Sequence, residues 1–150
     1  MTTPSPTRIL FVCTGNIARS QIAEGLVRTL APNLEVASAG SRPNPKGVHP
    51  LAIQVMRERD IDISHHRPKK ISDLPGDFDY VVTLCDDAAK NCPVLPARKQ
   101  RLHWSIPDPA LAGDDPAAQL AFFRNVRNDI ERRLQEFLAT AEPKDVGKKL

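Results

Sequence analysis

Residues 8–26 read RILFVCTGNIARSQIAEGL, and this stretch decides the fold. Its first residues, 8–12, are mostly apolar and β-prone, which predicts a buried strand of a parallel sheet. After the loop that follows Cys13, apolar residues recur at helical spacing at Ile22, Leu26 and Leu30. The stretch therefore predicts a strand, a short loop and a helix that begins near Arg19.

The loop has the composition of an anion-binding site. Between the cysteine and the helix it contains small or polar residues and one isoleucine: Thr14, Gly15, Asn16, Ile17 and Ala18. Such a loop turns backbone N–H groups inward, and these donors together with the helix dipole favour a tetrahedral oxyanion. Arg19 adds a guanidinium that is always charged and can donate two hydrogen bonds to one anion. Ser20 is placed to hydrogen-bond the sulfur, and Asn16 tolerates a left-handed backbone.

Cys13 is the candidate nucleophile. A thiol that faces several N–H donors and the Arg19 guanidinium has its anion favoured, so we expect a thiolate at neutral pH. The alternative is a small buried hydrophobe at the end of a strand, which is a common place for a single cysteine. The order of strand, cysteine, loop, arginine, serine and helix favours the nucleophile.

Size and charge exclude several classes of protein. A chain of 150 residues with a net charge of +3 suits one domain with its own core, and its basic residues are scattered. We therefore expect no nucleic-acid partner. No apolar run is long enough for a membrane span and the start lacks a signal peptide, so we expect no membrane contact and a cytoplasmic location. Three cysteines, an odd number, argue against a secreted disulfide framework.

Strand and helix patterns alternate along the chain. Further strands are predicted at 34–38, 80–84 and 100–104, and helices at 50–59 and 120–137, with only a weak strand pattern at 60–63. We expect an α/β fold with a four-stranded parallel sheet in the order 2-1-3-4 and helices on both faces. The predicted organisation is a disordered leader at 1–7, a single catalytic domain at 8–141 and a flexible tail at 142–150.

Two more cysteines follow the third strand. The strand carries Cys85 to the sheet edge where Cys13 also lies, because ligands and loops gather at the carboxyl ends of parallel strands. Cys92 lies seven residues later, and a rigid helix would separate the pair by about 10 Å, which is too far for a disulfide. The segment between them must therefore bend if they are to pair. Two buried structural cysteines are the alternative. His65 and His66 are expected to be solvated loop residues rather than metal ligands.

The motifs around these residues resemble one family. CTGNIARS at 13–20, VASAG at 36–40, VVTLCDDAAKNCPVLP at 81–96 and HWSIPDPA at 103–110 resemble the low-molecular-weight protein tyrosine phosphatases. They are more similar still to the thioredoxin-coupled arsenate reductases of that family. The resemblance runs from Arg8 to about Leu138, and it implies the same four-stranded parallel sheet.

The resemblance implies a reaction and a role for each residue. Arsenate is the substrate, phosphate and sulfate compete for the loop, and Asp108 is the acid that protonates the departing oxygen. Cys13 attacks arsenic, Cys85 attacks Cys13 to release arsenite, and Cys92 resolves that disulfide. Thioredoxin then reduces the Cys85–Cys92 bond. We expect no bound cofactor or metal, and a monomer. From the residues alone, the alternative for Asp108 is an aspartate that makes a turn before Pro109.

Two rival functions remain open at this point. One is a phosphatase that keeps accessory thiols for redox protection, and the other is a non-enzymatic oxyanion or redox sensor. The phosphatases typically place aromatic residues after their Asp-Pro, whereas this chain has Ala110 and Leu111, so a tyrosine substrate would find little to stack on. Some reductases have a further cysteine where this chain has Ala18, but the proposed triad does not include that position.

The family resemblance also includes a potassium site. Asn16, Glu24 and Ser38 match its oxygen ligands, but the fourth ligand, an aspartate, falls at Lys69. A lysine ammonium cannot share a small site with a second cation. We therefore predict that Lys69 reaches toward Glu24 and takes the place of the ion. The alternative is a solvated charge in a loop.

Overall fold

The computed structural model describes residues 6–84, 96–109 and 112–140. In chain order it contains β1 (Arg8–Cys13), α1 (Arg19–Leu30), β2 (Glu35–Gly40), α2 (Pro50–Arg57), a 3-10 turn (Ile71–Asp73), β3 (Phe78–Thr83), β4 (Ala97–His103) and α3 (Pro116–Thr140). Apart from the weak strand pattern at 60–63, every strand and helix expected from the sequence is present, with bounds that differ by a few residues. The expected tail lies wholly, and the expected leader mostly, outside the described residues.

The four strands form one parallel sheet in the order β2-β1-β3-β4, which confirms the predicted order. The register aligns the carboxyl ends of the strands. Cys13 lies opposite Gly40 of β2, and the preceding Val12 lies opposite Thr83 of β3, which in turn lies opposite His103 of β4. The loops that leave this edge are therefore brought together around Cys13.

The sheet is buried at its centre. In β1 the residues after Arg8 are all buried, as expected for a central parallel strand that is covered on both sides. Both α1 and α2 contact α3, and the ring of Phe137 on α3 lies 5.0 Å from that of Tyr80 in β3. No helix in the described ranges is both long enough and apolar enough to cross a membrane.

Residues 60–63 do not form a strand. Ile63 is fully buried, and its side chain lies against α1 at Gly25, where an added Cβ would come within 2.8 Å of the isoleucine. The weak alternation in this segment thus reflects a buried loop residue packed on a helix. The glycine is needed there because any side chain would push the loop away.

Candidate active site

Cys13 lies at the junction of β1 and the loop that precedes α1. It is almost completely buried, and its Sγ is 2.9 Å from the hydroxyl of Ser20 in the first turn of α1. This contact was expected from the sequence and is confirmed. Since a purely structural cysteine requires no polar partner, the arrangement favours a functional thiol.

The backbone carbonyls of the loop all have donors outside it. Four of them accept hydrogen bonds from backbone N–H groups of segment 41–49, which follows β2. Ser41 donates to Cys13 (3.2 Å), Arg42 to Thr14 (2.9 Å), Asn44 to Gly15 (3.1 Å) and His49 to Ile17 (2.8 Å). The Asn16 carbonyl accepts from Gln21 Nε2 at 3.1 Å, and the Ala18 carbonyl accepts the first bond of α1.

These outward carbonyls orient the N–H groups of the loop. The described chain contains no cis peptide, and in a trans peptide unit the N–H points opposite to the C=O. The N–H groups of residues 14, 15, 16 and 18 therefore point away from segment 41–49, and those of residues 17 and 19 point away from the α1 groups that bind the carbonyls before them. This is the arrangement that binds a tetrahedral oxyanion. The sequence did not identify segment 41–49 as the outer support of the oxyanion loop, because no pattern in it points to this role.

Gly40 allows the end of β2 to approach the oxyanion loop closely. A Cβ on this residue would come within 2.5 Å of the Thr14 carbonyl oxygen and 3.1 Å of the Asn16 amide nitrogen. Any other residue would push β2 away from the oxyanion loop. The SAG sequence at the end of the predicted strand was the available signal, because a glycine there indicates close backbone approach.

Asn16 holds the centre of the loop. It has a left-handed backbone with φ of 54°, as its identity suggested. Its side-chain amide donates to Ser20 Oγ at 2.7 Å and to Ser38 Oγ at 3.0 Å, and its Oδ1 accepts the backbone N–H of Lys69 at 2.9 Å. The strained residue is therefore held from α1, from β2 and from the segment before the 3-10 turn.

The series of hydrogen bonds that runs through Asn16 and Ser38 ends at Glu24. Ser38 donates to its Oε1 at 2.6 Å, and Arg28 donates to its Oε2 through two nitrogens at 3.1 and 2.9 Å. Burial raises the pKa of Glu24, but the hydrogen bonds from Ser38 and Arg28 and the charges of Lys69 and His66 outweigh it, so the pKa is lowered overall. A continuous network thus joins the Cys13 thiol to a buried carboxylate.

Lys69 lies where the sequence predicted. Its Nζ is 3.8 Å from Glu24 Oε1, which confirms the predicted contact, and it also donates to the Arg67 carbonyl at 3.0 Å. Burial lowers the pKa of Lys69, and the Glu24 charge opposes that shift. With Arg28 on the other carboxylate oxygen, these groups do not fit a potassium ion. Across the described ranges, no three or more His, Cys, Asp or Glu side chains are grouped so that they could hold a metal ion.

His66 is not the solvated loop residue that the sequence predicted. Only 7% of its side chain is exposed, and Nδ1 lies 3.0 Å from Gln21 Oε1 and 3.8 Å from Glu24 Oε2. Burial lowers its pKa and the Glu24 charge raises it. The prediction failed because α1 supplies two polar partners that are remote in sequence. His65 is exposed, as predicted.

Arg19 and Asp108 meet above the loop. Arg19 is buried at the start of α1, and its Nη1 donates to the Ile106 carbonyl at 3.0 Å while Nη2 lies 3.8 Å from Asp108 Oδ2. The segment after β4 is thereby attached to the oxyanion loop. The Asp108 side chain is 38% exposed, so it is accessible to solvent while it lies beside the Arg19 guanidinium.

Cys85 and Cys92 lie outside the described residues. The chain just before them continues the sheet, because the Leu84 N–H donates to the Val12 carbonyl at 2.8 Å. The structure therefore brings together Cys13, Arg19, Ser20 and Asp108, with the loop residues between them. The two further cysteines remain predictions from the sequence.

Comparison with known proteins agrees with this geometry. A family model described as low molecular weight phosphotyrosine protein phosphatase matches residues 8–149. An arsenate reductase from Bacillus subtilis (strain 168) is 43% identical over 136 residues, which cover 89% of this chain and 96% of that protein.

Two solved structures extend the comparison. One, described as an arsenate reductase in the phosphate binding state, is 32% identical with a TM-score of 0.70, and the match covers 89% of this chain and 97% of that one. The other is a thioredoxin-dependent arsenate reductase from Corynebacterium glutamicum. It is 32% identical with a TM-score of 0.64, over 92% of this chain and 65% of that one.

Proposed function

Because the chain belongs to the low molecular weight phosphotyrosine protein phosphatase family, we propose that it is an arsenate reductase that works through a relay of Cys13, Cys85 and Cys92. The observation that carries the proposal is the oxyanion loop, whose carbonyls are all bonded on its outer side around the buried thiol. Thioredoxin is the proposed electron donor.

The first step uses the described residues. Arsenate binds with its oxygens on the N–H groups of residues 14–19 and on the Arg19 guanidinium. The Cys13 thiolate attacks arsenic, one arsenic–oxygen bond breaks, and Asp108 supplies the proton with which that oxygen leaves as water. Ser20 is placed to stabilise the thiolate before attack, since its hydroxyl lies 2.9 Å from Sγ.

The following steps move electrons from sulfur to arsenic. The Cys85 thiolate attacks the Cys13 sulfur, a disulfide forms, and the electron pair of the sulfur–arsenic bond passes to arsenic, which leaves as arsenite. Cys92 then attacks Cys85, which frees Cys13 as a thiolate and leaves a Cys85–Cys92 disulfide. Two thiols of thioredoxin reduce this disulfide and become oxidised themselves.

Reduction is favoured over phosphate-ester hydrolysis by two observations. The B. subtilis relative, similar over nearly its whole length, is an arsenate reductase. The chain also has three cysteines, whereas hydrolysis by water requires only the nucleophile. The thioredoxin-dependent C. glutamicum protein supports thioredoxin as the donor. We further propose a cytoplasmic monomer, because the relay needs a reducing compartment and no second subunit.

The sharpest test is Cys92→Ser. With Cys85 present, about one arsenite per enzyme should be released, and the protein should then stall with Cys13 and Cys85 joined, because no thiol remains to resolve that bond. Rapid-quench arsenite measurement and peptide mapping under non-reducing conditions give both results. Cys13→Ser is the matched control, and it should release no arsenite because an alcohol supplies no anion at neutral pH.

Free Cys13 in Cys92→Ser after one turnover would contradict the relay. Sustained arsenate turnover by Cys13→Ser would refute the nucleophile. If wild type hydrolyses an aryl phosphate rapidly but oxidises no thioredoxin in the presence of arsenate, the protein is a phosphatase instead.

A further inference from the structure

One polar side chain beside the oxyanion loop has no role in the steps above. Gln21 lies in the first turn of α1 and is fully buried. A buried side-chain amide needs partners for its nitrogen and for its oxygen, because a polar group that is removed from water without a partner destabilises the fold. The partners of Gln21 therefore indicate what this side chain holds in place.

The amide of Gln21 is held in one orientation. Its Nε2 donates to the Asn16 carbonyl at 3.1 Å, to Asn16 Oδ1 at 3.2 Å and to the Arg67 carbonyl at 3.0 Å. Its Oε1 lies 3.0 Å from Nδ1 of His66, and because an amide oxygen can only accept, this ring nitrogen carries the proton. A reversed amide would place its oxygen against three acceptor oxygens, so the donor nitrogen must face Asn16.

The Asn16 carbonyl differs from its neighbours in the oxyanion loop. Among the described residues, its hydrogen-bond donor is a side chain, that of Gln21. The other carbonyls of the loop accept backbone N–H groups, and they belong to Cys13, Thr14, Gly15, Ile17 and Ala18. The peptide unit between Asn16 and Ile17 is therefore oriented by one side chain rather than by a neighbouring segment of backbone.

That peptide unit carries the N–H of Ile17. Because the unit is trans, this N–H points opposite to the Asn16 carbonyl, away from Gln21. Asn16 has a left-handed backbone with φ of 54°, which persists only where its surroundings hold it. Without the Gln21 donor the peptide unit can rotate, and its carbonyl oxygen would then replace the N–H that faces the anion.

We propose that Gln21 is a positioning residue for the oxyanion, because it turns the Ile17 N–H toward the bound anion. Gln21 acts through the Asn16–Ile17 peptide unit and does not itself touch the anion. The inference rests on the proposed role of the loop as the arsenate site. The expected consequence of its loss is weaker binding, since a hydrogen bond to an anion is stronger than one between neutral groups.

The test variant is Gln21→Met. Methionine has a similar length and helix propensity but no hydrogen to donate. Sulfate is the probe, because it is a tetrahedral oxyanion that the thiol does not reduce. Its affinity, measured by calorimetric titration, should fall about tenfold, which is the effect of one hydrogen bond to a charged group. Gln54→Met makes the same change on an exposed side chain of α2 and should leave the affinity unchanged.

Amide NMR separates positioning from a merely structural role. In the wild type, sulfate should move the Gly15 and Ile17 amide protons downfield. The Gly15 N–H belongs to the peptide unit that Arg42 holds at the Thr14 carbonyl, so its shift should persist in Gln21→Met while that of Ile17 is lost. Ile130→Val is the control for stability. It removes one carbon from the buried core in α3, lowers the melting temperature and should keep both shifts.

An unchanged sulfate affinity in Gln21→Met, an equal loss of both amide shifts, or a wild-type Ile17 amide that does not respond to sulfate would each overturn the inference. The last measurement uses the wild type alone, so it applies whatever the stability of the variant. Failure of the proposed function has a different signature, because sulfate would then move no amide of residues 14–19. A response at Gly15 without one at Ile17 leaves the oxyanion site in place and removes only the role of Gln21.

Discussion

Asn16 shows at the scale of single residues why the loop contains this side chain. A left-handed residue is uncommon outside glycine, and it persists only where its surroundings hold it. Here Ser20, Ser38 and the Lys69 backbone bind the side chain, and Gln21 binds both its carbonyl at 3.1 Å and its Oδ1 at 3.2 Å. A glycine would supply the conformation but none of the side-chain bonds, so asparagine both permits and secures the turn.

Lys69 leads to a prediction about ions. Because Lys69 and Arg28 already neutralise Glu24, a potassium ion would meet strong repulsion there. Melting temperature and arsenate affinity should therefore be equal in potassium and sodium at matched ionic strength, as thermal unfolding and calorimetric titration would measure.

The matched variants for this prediction are neighbours in sequence. Lys69→Asp replaces the ammonium by an oxygen ligand and should create a gain in stability that is specific to potassium. Lys70→Asp makes the same change of charge on an exposed side chain and should create none. A gain in the melting temperature or arsenate affinity of the wild type that is specific to potassium would contradict the prediction.

At the scale of elements, one carboxylate joins α2 to α3. Arg124 donates to Oε2 of Glu58, just after α2, through Nε at 3.0 Å and Nη2 at 2.7 Å, and Arg127 donates to Oε1 at 2.7 Å. Arg127 is 4% exposed and also donates to the Val55 carbonyl at 2.8 Å. This joint matters for the site because His49, just before the other end of α2, donates its backbone N–H to the Ile17 carbonyl of the oxyanion loop.

Glu58→Gln should lower the melting temperature by about 5 °C, because it leaves the buried Arg127 guanidinium without its carboxylate. Glu136→Gln is the control, since its ion pair with Arg132 is exposed. Hydrogen bonds from Arg124 and Arg127 lower the pKa of Glu58 to about 2 in the folded protein. Its stabilising effect is thus complete above the unfolded value and is lost as the pH falls toward 2.

The melting temperatures of wild type and Glu58→Gln should accordingly converge between about pH 4.5 and pH 2. Thermal unfolding monitored by circular dichroism across this range checks the sign. A difference that grows on acidification would contradict the assigned role.

At the scale of the whole molecule, the residues of the site meet at one edge of the sheet, and the core keeps the strands of that edge in place. Four parallel strands end together, so the oxyanion loop, Leu84 and the segment that carries Asp108 leave the sheet at one place. A ligand that binds this site binds only the folded chain, and it must stabilise the entire fold by mass action.

Phosphate, arsenate and sulfate should therefore each raise the melting temperature. At about 100 times the dissociation constant the gain is about 2.7 kcal/mol, or roughly 5–10 °C. Arg19→Lys keeps the charge but loses the guanidinium that donates two hydrogen bonds to one anion, so the rise in melting temperature should be smaller. Arg57→Lys, on an exposed side chain of α2, should leave it unchanged. An equal rise with chloride would refute a specific oxyanion site.

Local sequence determined the strands, the helices and most of the loop chemistry. The apolar run before Cys13 and the helical spacing after it are set by neighbours in the chain, and so is the left-handed tendency of Asn16. The strand order was also accessible, because short crossovers and the family resemblance leave few parallel topologies.

Tertiary structure alone decided which remote groups surround the loop. The bonds from segment 41–49 to the oxyanion loop, the burial of His66 against Gln21 and the ion pair of Arg19 with Asp108 all join residues far apart in sequence. Hydrogen-bond partners of this kind leave no periodic pattern, since only the folded sheet edge brings them within a few ångströms. Burial then strengthens their interactions, because the surrounding dielectric falls only once the chain has closed over them.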